Sequence, residues 1–473
     1  MAESVAETPS PLIDDLPESI PYLIIGGGTS CFAAVRAIRA GDPTSKVLII
    51  SDSKQLPYMK PPLSKELWFT PPEVASSLQF RQFDGKYRPL AFEKPEFYFS
   101  LARLMQRDSG GVALVSGQRV TRIDAEKQTV FLENGQSLNY DKCLIATGGE
   151  RQSHAVLDSS DSQVKAKVID FQRIEDFLDL QAQLPGMKRI LIHGGGLLGT
   201  ELAVAIASSA INSGLQVVQL FPEEGVLWRL LPEYLSRWVS RQVEASGVKL
   251  MSKTDVQSAS VKNNRLVLHL TNGSEVEADG VVVTERLEVI EGGNKRLADA
   301  SGLELDPRLG GFVVNAELQA RSNLWVAGDA ACFFDQKLGR RRVQQHDQAV
   351  ISGRLAGENM TGARKPLKQQ AMFWSDLTPT LGFEAAGLID SSLETVGVFA
   401  AERTEGESKA ADAVEPSYEK GVVFYLREKK IVGVLMMNLF NRVRLARRIL
   451  KDDRTQDDLS DVAKWFNIYS AEE

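Results

Sequence analysis

The chain has 473 residues, too many for a single hydrophobic core, with 43% hydrophobic and 25% charged residues as in ordinary globular proteins. A formal net charge of −7 argues against nucleic acid as the default partner, and three scattered cysteines (Cys31, Cys143, Cys332) exclude a C-x-x-C dithiol and a disulfide framework. No apolar run approaches the roughly 18–20 residues of a membrane span, and no metal site is expected.

In chain order, residues 1–18 are acidic and proline-bearing and read as a disordered segment. They have the plan of neither a signal peptide nor a transit peptide, so either the protein is cytosolic or the chain begins after its targeting segment. `YLIIGGGTSCFAA` (Tyr22–Ala34) then breaks an apolar strand at three glycines and resumes as small, helix-compatible residues. Such a turn aims the free N–H groups of a helix N-terminus at a phosphate, and its second glycine lets a pyrophosphate approach the backbone. `KVLIISD` follows and ends in Asp52, placed to accept hydrogen bonds from a ribose. `LPYMKPPLSKELW` (Leu56–Trp68) reads as a proline-pinned loop entering a helix that carries Lys65. `LQFRQFDGKYRPLAF` reads as a hairpin turning at Asp84-Gly85, and a meander of short strands ends at Gly149.

Near Lys188 the plan restarts. `ILIHGGGLLGTELA` (Ile190–Ala203) fits G-x-G-x-x-G through Gly194, Gly196 and Gly199, whereas the first copy has Cys31 in the third slot. `LQVVQLFPEE` ends in Glu223 and Glu224, and a carboxylate there favours NADH over NADPH by repelling a 2′-phosphate. A second meander, `LVLHLTNGSEVEADGVVV`, completes an internal duplication. `SNLWVAGDAA` then ends a strand at Gly328-Asp329, `TVGVFA` and `GVVFYLREKKIVGVLMMN` alternate as strands, and `VRLARRILKD` is an amphipathic helix.

Two dinucleotide units in one chain point to a flavin enzyme that uses a nicotinamide. The first unit and Asp52 would cradle FAD, with Gly328-Asp329 near its ribityl chain. Lys65 would stabilise negative charge on the reduced ring, held in place by Glu201 two residues past the second glycine motif. His346-Asp347 reads as a helix start near the flavin carbonyls. The run `KLGRRR` (Lys337–Arg342) reads as solvated basic surface, with a nuclear-import patch as the alternative.

`LPYMKPPLSKELWF`, `DKCLIATGG`, `QLFPEEG`, `GGFVVNAELQARSNLWVAGDAACF`, `LGRRRV`, `ISGRLAGENMTGA` and `FWSDL` together resemble the apoptosis-inducing factor family over about Ile20 to Ile468. The resemblance implies an α/β fold with two Rossmann-like dinucleotide-binding domains in a glutathione-reductase-like arrangement. FAD binding would fall to 19–149 and 288–371, and NAD binding to 150–287. A C-terminal α+β domain would span 372–473, with a disordered loop at about 401–420. It also implies FAD and NAD as cofactors and catalysis by Lys65, Glu201 and His346. Contacts to FAD would come from Gly26, Gly27, Gly28, Thr29, Ser30, Cys31, Asp52, Ser53, Lys65, Val120, Asp329, His346 and Trp374, with Lys60 where the family has arginine. Contacts to NAD would come from Gly196, Leu197, Leu198, Gly199, Glu223, Arg229 and Glu384. The expected activity is NADH oxidation with transfer to a quinone or other acceptor. Mitochondrial intermembrane-space residence is implied as well, with support of respiratory-complex biogenesis through an import oxidoreductase, NADH-dependent homodimerisation and a nuclear role in cell death.

The departures lie on the nicotinamide side. Leu197 replaces an aromatic that shields the flavin, Gln344-Gln345 replace a Glu-His pair, and Arg286 replaces a glycine. Weakened NADH binding follows from these changes. One alternative stays open, an FAD-stabilised interaction protein with decayed NADH oxidation; a ferredoxin-type reductase shares the fold but does not account for the C-terminal matches.

Overall fold

The computed structural model describes residues 13, 16–82, 84–149, 154–211, 213–284, 292–378, 380–400 and 418–468. Arg286 and residues 401–417 of the expected loop lie outside them, as does most of 1–18. Ile13 is described, and it exchanges backbone hydrogen bonds with the side chain of Gln136 (2.7 and 3.0 Å). The chain divides into two compact units, 1–60 with 89–152 and 286–371, and 61–88 with 153–285 and 372–473. The segment 61–88, expected with the FAD-binding residues, thus belongs to the second unit.

In the first unit a parallel sheet runs in the order Gly111–Ser116, Lys46–Ser51, Ser19–Ile25, Ser137–Ile145 and Leu324–Val326, with Gln319–Arg321 antiparallel at the edge. Its two central strands, `SIPYLII` and `KVLIIS`, are apolar along nearly their whole length because both faces are covered, as parallel sheets require. The meander Val120–Asp124 and Thr129–Leu132 extends from the Ser137–Ile145 strand. The helices Thr29–Gly41 and His346–Met360 cross closely. A Cβ on Gly353 would strike the backbone of Ser30, and one on Gly357 the backbone of Ala34.

The second unit repeats the plan. Its parallel sheet runs Val248–Met251, Gln216–Leu220, Arg189–His193, Gly280–Val283 and Val168–Asp170, beside an antiparallel meander of Val256–Lys262, Arg265–Leu270 and Glu275–Ala278. Ser19–Ile25 in the first sheet and Arg189–His193 in the second sit where the strand order reverses, which is where open α/β sheets bind ligands. An antiparallel sheet (Met372–Thr378, Leu381–Gly387, Lys430–Met437, Gly421–Arg427, Glu394–Phe399) with the helices Val443–Lys451 and Leu459–Lys464 forms the C-terminal α+β part around its own apolar core.

One local expectation is corrected. Lys65 is not on an α-helix but between two 3₁₀ turns, Pro61–Leu63 and Glu66–Phe69. Lys65 itself takes φ −132° and ψ −98°, outside the helical region, and so separates the two turns.

Candidate functional site

The first cradle is built by the turn from Ser19–Ile25 into Thr29–Gly41. Gly26 takes φ +106°, and a Cβ there would collide with the Ala146 carbonyl, so this turn admits only glycine. Gly28 caps the helix with no side-chain hydrogen bond to its first N–H groups, and a Cβ on it would meet nothing within 4 Å. Protein packing therefore does not explain this glycine. An uncapped helix end facing open space suits a pyrophosphate, and the residues present fit an FAD. Cys31 in the third slot is fully buried and packs as a small apolar residue.

Further expected residues are placed around this cradle. Gly328 N–H donates to Ser352 Oγ at 2.9 Å, and a Cβ on Gly328 would strike Ser30 Oγ, which docks the Gly328-Asp329 turn onto the first helical turn. His346 Nδ1 lies 3.4 Å from Thr29 Oγ1, at the start of its own helix as expected. Asp52 is half-exposed, 3.5 Å from an Arg119 nitrogen, an ion pair that the sequence did not suggest. Ser53 accepts from the Gln55 N–H at 3.1 Å, and Val120 is buried on the neighbouring meander. Gln345 is the N-cap of the His346–Met360 helix without a side-chain cap bond.

The basic run was expected to be solvated, and its arginines are instead committed to the fold. Arg340 donates to the carbonyls of Val314 (2.6 Å) and Cys332 (3.0 Å), and Arg342 to that of Asp329 (2.7 Å). Arg341 donates to Gln370 Oε1 at 2.9 Å.

The second cradle has the same features. Gly196 caps the Leu197–Ser209 helix without a side-chain bond, and a Cβ there again meets nothing within 4 Å. Gly199 is different, because a Cβ on it would strike the Gly194 carbonyl and Thr284 Oγ1, so it serves helix–strand packing. Arg229 holds Glu223 Oε1 at 2.9 Å through Nε and Nη2, which leaves buried Glu223 Oε2 with no partner among the described residues. An unpaired buried carboxylate oxygen is costly, and a ribose hydroxyl would satisfy it, so this donor set fits an NAD. Leu197 and Leu198 open the helix.

Within the same unit lies the expected charge pair. Lys65 Nζ is 3.2 Å from Glu201 Oε1, and both side chains are 8% exposed. Sequence reasoning missed what surrounds them. Ser375 Oγ donates to Glu201 Oε1 and Ser64 Oγ to Oε2, each at 2.7 Å, so both carboxylate oxygens are hydrogen-bonded. Lys65 Nζ also lies 5.1 Å from the Trp374 ring centroid. Trp374 pairs in register with Glu384, whose carboxyl burial pushes to a higher pKa. Burial likewise raises Glu66 and Asp376, with Lys65 opposing the shift in both. Lys65 is thus set among several carboxyls, and Ser64, adjacent to it in `PPLSKELW`, was the one partner that spacing could have suggested.

A profile for the pyridine nucleotide-disulphide oxidoreductases matches residues 20–353, and one for the C-terminal part of mitochondrion-associated apoptosis-inducing factor matches 356–416 and 403–452. The chain is 44% identical to a putative mitochondrial apoptosis-inducing factor 1 of Drosophila melanogaster, over 98% of this chain and 67% of that one. It is 36% identical to mitochondrial apoptosis-inducing factor 1 of Dictyostelium discoideum, over 94% and 80%. Among solved structures, putidaredoxin reductase in its covalent complex with putidaredoxin shares the fold, with a TM-score of 0.74 at 22% identity over 95% of this chain and 100% of that one.

Proposed function

The chain belongs to the apoptosis-inducing factor family, and from that premise we propose that it passes electrons from NADH to a quinone or other small acceptor through a weakened nicotinamide site. It is an NADH-dependent flavin oxidoreductase with FAD and NAD(H) as cofactors. Hydride transfer from nicotinamide to flavin is the cofactors' own chemistry, and the protein supplies binding, orientation and charge. The observation that most supports this function is the repeated cradle: two uncapped helix ends, each behind a second glycine that no protein atom approaches.

In this account Gly26 to Cys31, Asp52, Ser53, Lys60, Val120 and Asp329 hold the FAD, with Trp374 and His346 as further contacts. Gly196 to Gly199, Glu223, Arg229 and Glu384 hold the NAD, with Gln345 beside it. Lys65 would supply positive charge where a reduced flavin becomes negative, with its ammonium held by Glu201, whose carboxylate is fixed in turn by Ser64 and Ser375. The N-terminus of the His346–Met360 helix adds its dipole.

The Drosophila and Dictyostelium relatives are named as mitochondrial, and we extend that residence to this chain, in the intermembrane space. There it would support respiratory-complex biogenesis with an import oxidoreductase, dimerise on binding NADH, and act in the nucleus on cell-death signalling. A second function is favoured by one observation: Leu197, at the first position of the NAD helix, cannot stack as an aromatic does. On that basis the protein is an FAD-stabilised interaction protein with attenuated turnover.

Steady-state oxidation of NADH by the purified flavoprotein with a soluble quinone tests the choice. Slow turnover that saturates only at high NADH, and is slower still with NADPH, supports the oxidoreductase. Bound flavin with no turnover favours the scaffold, and equal rates with both nucleotides remove the role given to Glu223.

A further inference from the structure

His193 ends the Arg189–His193 strand directly ahead of Gly194 and is only 1% exposed. Its Nδ1 has no hydrogen-bond partner among the described residues. A buried polar nitrogen left unpaired costs free energy, and the preceding Ile190, Leu191 and Ile192 show that this strand packs aliphatic side chains readily. Its Nε2 lies 2.8 Å from Asp255 Oδ1, 62 residues along the chain. His154, which caps the Ala155–Ser159 helix, brings its own Nε2 to 3.6 Å from the same oxygen. The two imidazoles meet edge to face, with ring centroids 4.6 Å apart.

The ligand-capable atoms of His154, His193 and Asp255 all lie within 4.8 Å of one another. Around a tetrahedral zinc ion, with bonds of about 2.0–2.2 Å, neighbouring ligand atoms sit roughly 3.3 Å apart. The two measured nitrogen–oxygen separations bracket that distance. We propose that His154, His193 and Asp255 form a binding site for a divalent transition-metal ion of the zinc class, with the remaining position filled by water. Two imidazoles and one carboxylate suit zinc and its neighbours, whereas calcium and magnesium take oxygen ligands. Asp255 is 41% exposed, so the ion has an entry path, while His193 sits on the closed side.

Ligation through Nε2 moves the ring proton of each histidine to Nδ1. In His154 this ends the 3.3 Å bond that Nδ1 accepts from Leu157 N–H, a single helix cap lost against three metal bonds gained. In His193 it places the proton on Nδ1, a donor that an ordered water would have to satisfy. The bound ion would clamp three segments that are distant in sequence: the start of a short helix, the end of one strand, and the residue ahead of the Val256–Lys262 strand.

The test uses untagged, FAD-loaded full-length protein, freed of metal by chelator and titrated with zinc chloride by calorimetry. Binding of one equivalent at about micromolar affinity or tighter, with a rise in melting temperature, is expected. Affinity should fall at least tenfold in His154→Ala and in Asp255→Asn, and the zinc-induced rise should vanish in both. Because these side chains are not fully buried, both variants should keep their flavin and a near wild-type melting temperature without metal. His193→Ile, which fills the same buried space, supplies a third variant that should bind no zinc. Failure of the folded wild-type protein to bind zinc saturably overturns the proposal, as does binding of unchanged affinity in folded His154→Ala and Asp255→Asn.

Discussion

Lys65 and Glu201 form a buried ion pair, Nζ to Oε1 at 3.2 Å, across 136 residues of sequence. Their burial makes the pair asymmetric in its consequences: the intact pair contributes little net stability, but breaking it strands a charge. Glu201→Gln should therefore destabilise the protein by about 3–5 kcal/mol. The double variant Lys65→Met, Glu201→Met should cost less than Glu201→Gln alone, because neither charge is left unpaired. Denaturant unfolding of both proteins checks this ordering.

Glu66 gives the pH dependence. Burial raises its pKa, Lys65 opposes the shift, and its Oε2 has no partner among the described residues. A carboxyl with a raised folded-state pKa binds its proton more tightly folded than unfolded. Its unfavourable contribution therefore grows as pH climbs from the ordinary glutamate value of about 4.3 through the folded value, and is absent below both. Glu66→Gln should raise the melting temperature at neutral pH, with the gain shrinking to nothing in acid. A gain independent of pH would assign the effect to packing instead.

The two kinds of glycine in the NAD loop separate cofactor binding from folding. Gly196 has φ −79° and ψ −176°, which alanine adopts freely, and open space around its missing Cβ. Gly196→Ala should leave the melting temperature unchanged and weaken NADH by on the order of tenfold. Gly199→Ala drives a methyl into the Gly194 carbonyl and should destabilise the fold by about 1–3 kcal/mol. Thermal melts and NADH titrations of the two variants should show opposite patterns.

The two cradles were legible in the sequence because glycine turns, the strands before them and the acids after them are local signals. The serine partners of Glu201 were not. Ser375 reaches it from 174 residues away, on a strand of the C-terminal sheet, and no spacing announces such a meeting. The His154–His193–Asp255 cluster escaped notice for the same reason, since the parallel sheet and its meander bring three separate segments together. Lys65 was expected on a helix because `LSKELW` has helical residues, but its own backbone, at φ −132° and ψ −98°, breaks the run into two 3₁₀ turns. The arginines of `KLGRRR` looked solvated because composition does not show which carbonyls lie within reach.

The nicotinamide-side departures make a recovery experiment direct. Leu197→Phe restores a stacking ring and Gln345→His a group able to take positive charge. At about 1 kcal/mol each and acting independently, the pair should tighten NADH roughly thirtyfold. FAD content should not change. Equilibrium titration of the double variant against the wild-type protein checks both expectations.

Anaerobic titration of the purified protein with NADH, followed through the visible flavin band, tests the central claim most directly. The protein should purify yellow, and its flavin should bleach as NADH is added, at concentrations well above stoichiometric because the nicotinamide site is weak. NADPH should do markedly less, because the free oxygen of Glu223 repels a 2′-phosphate. A colourless protein that takes up no FAD, or a bound flavin that saturating NADH leaves oxidised, would contradict the assignment.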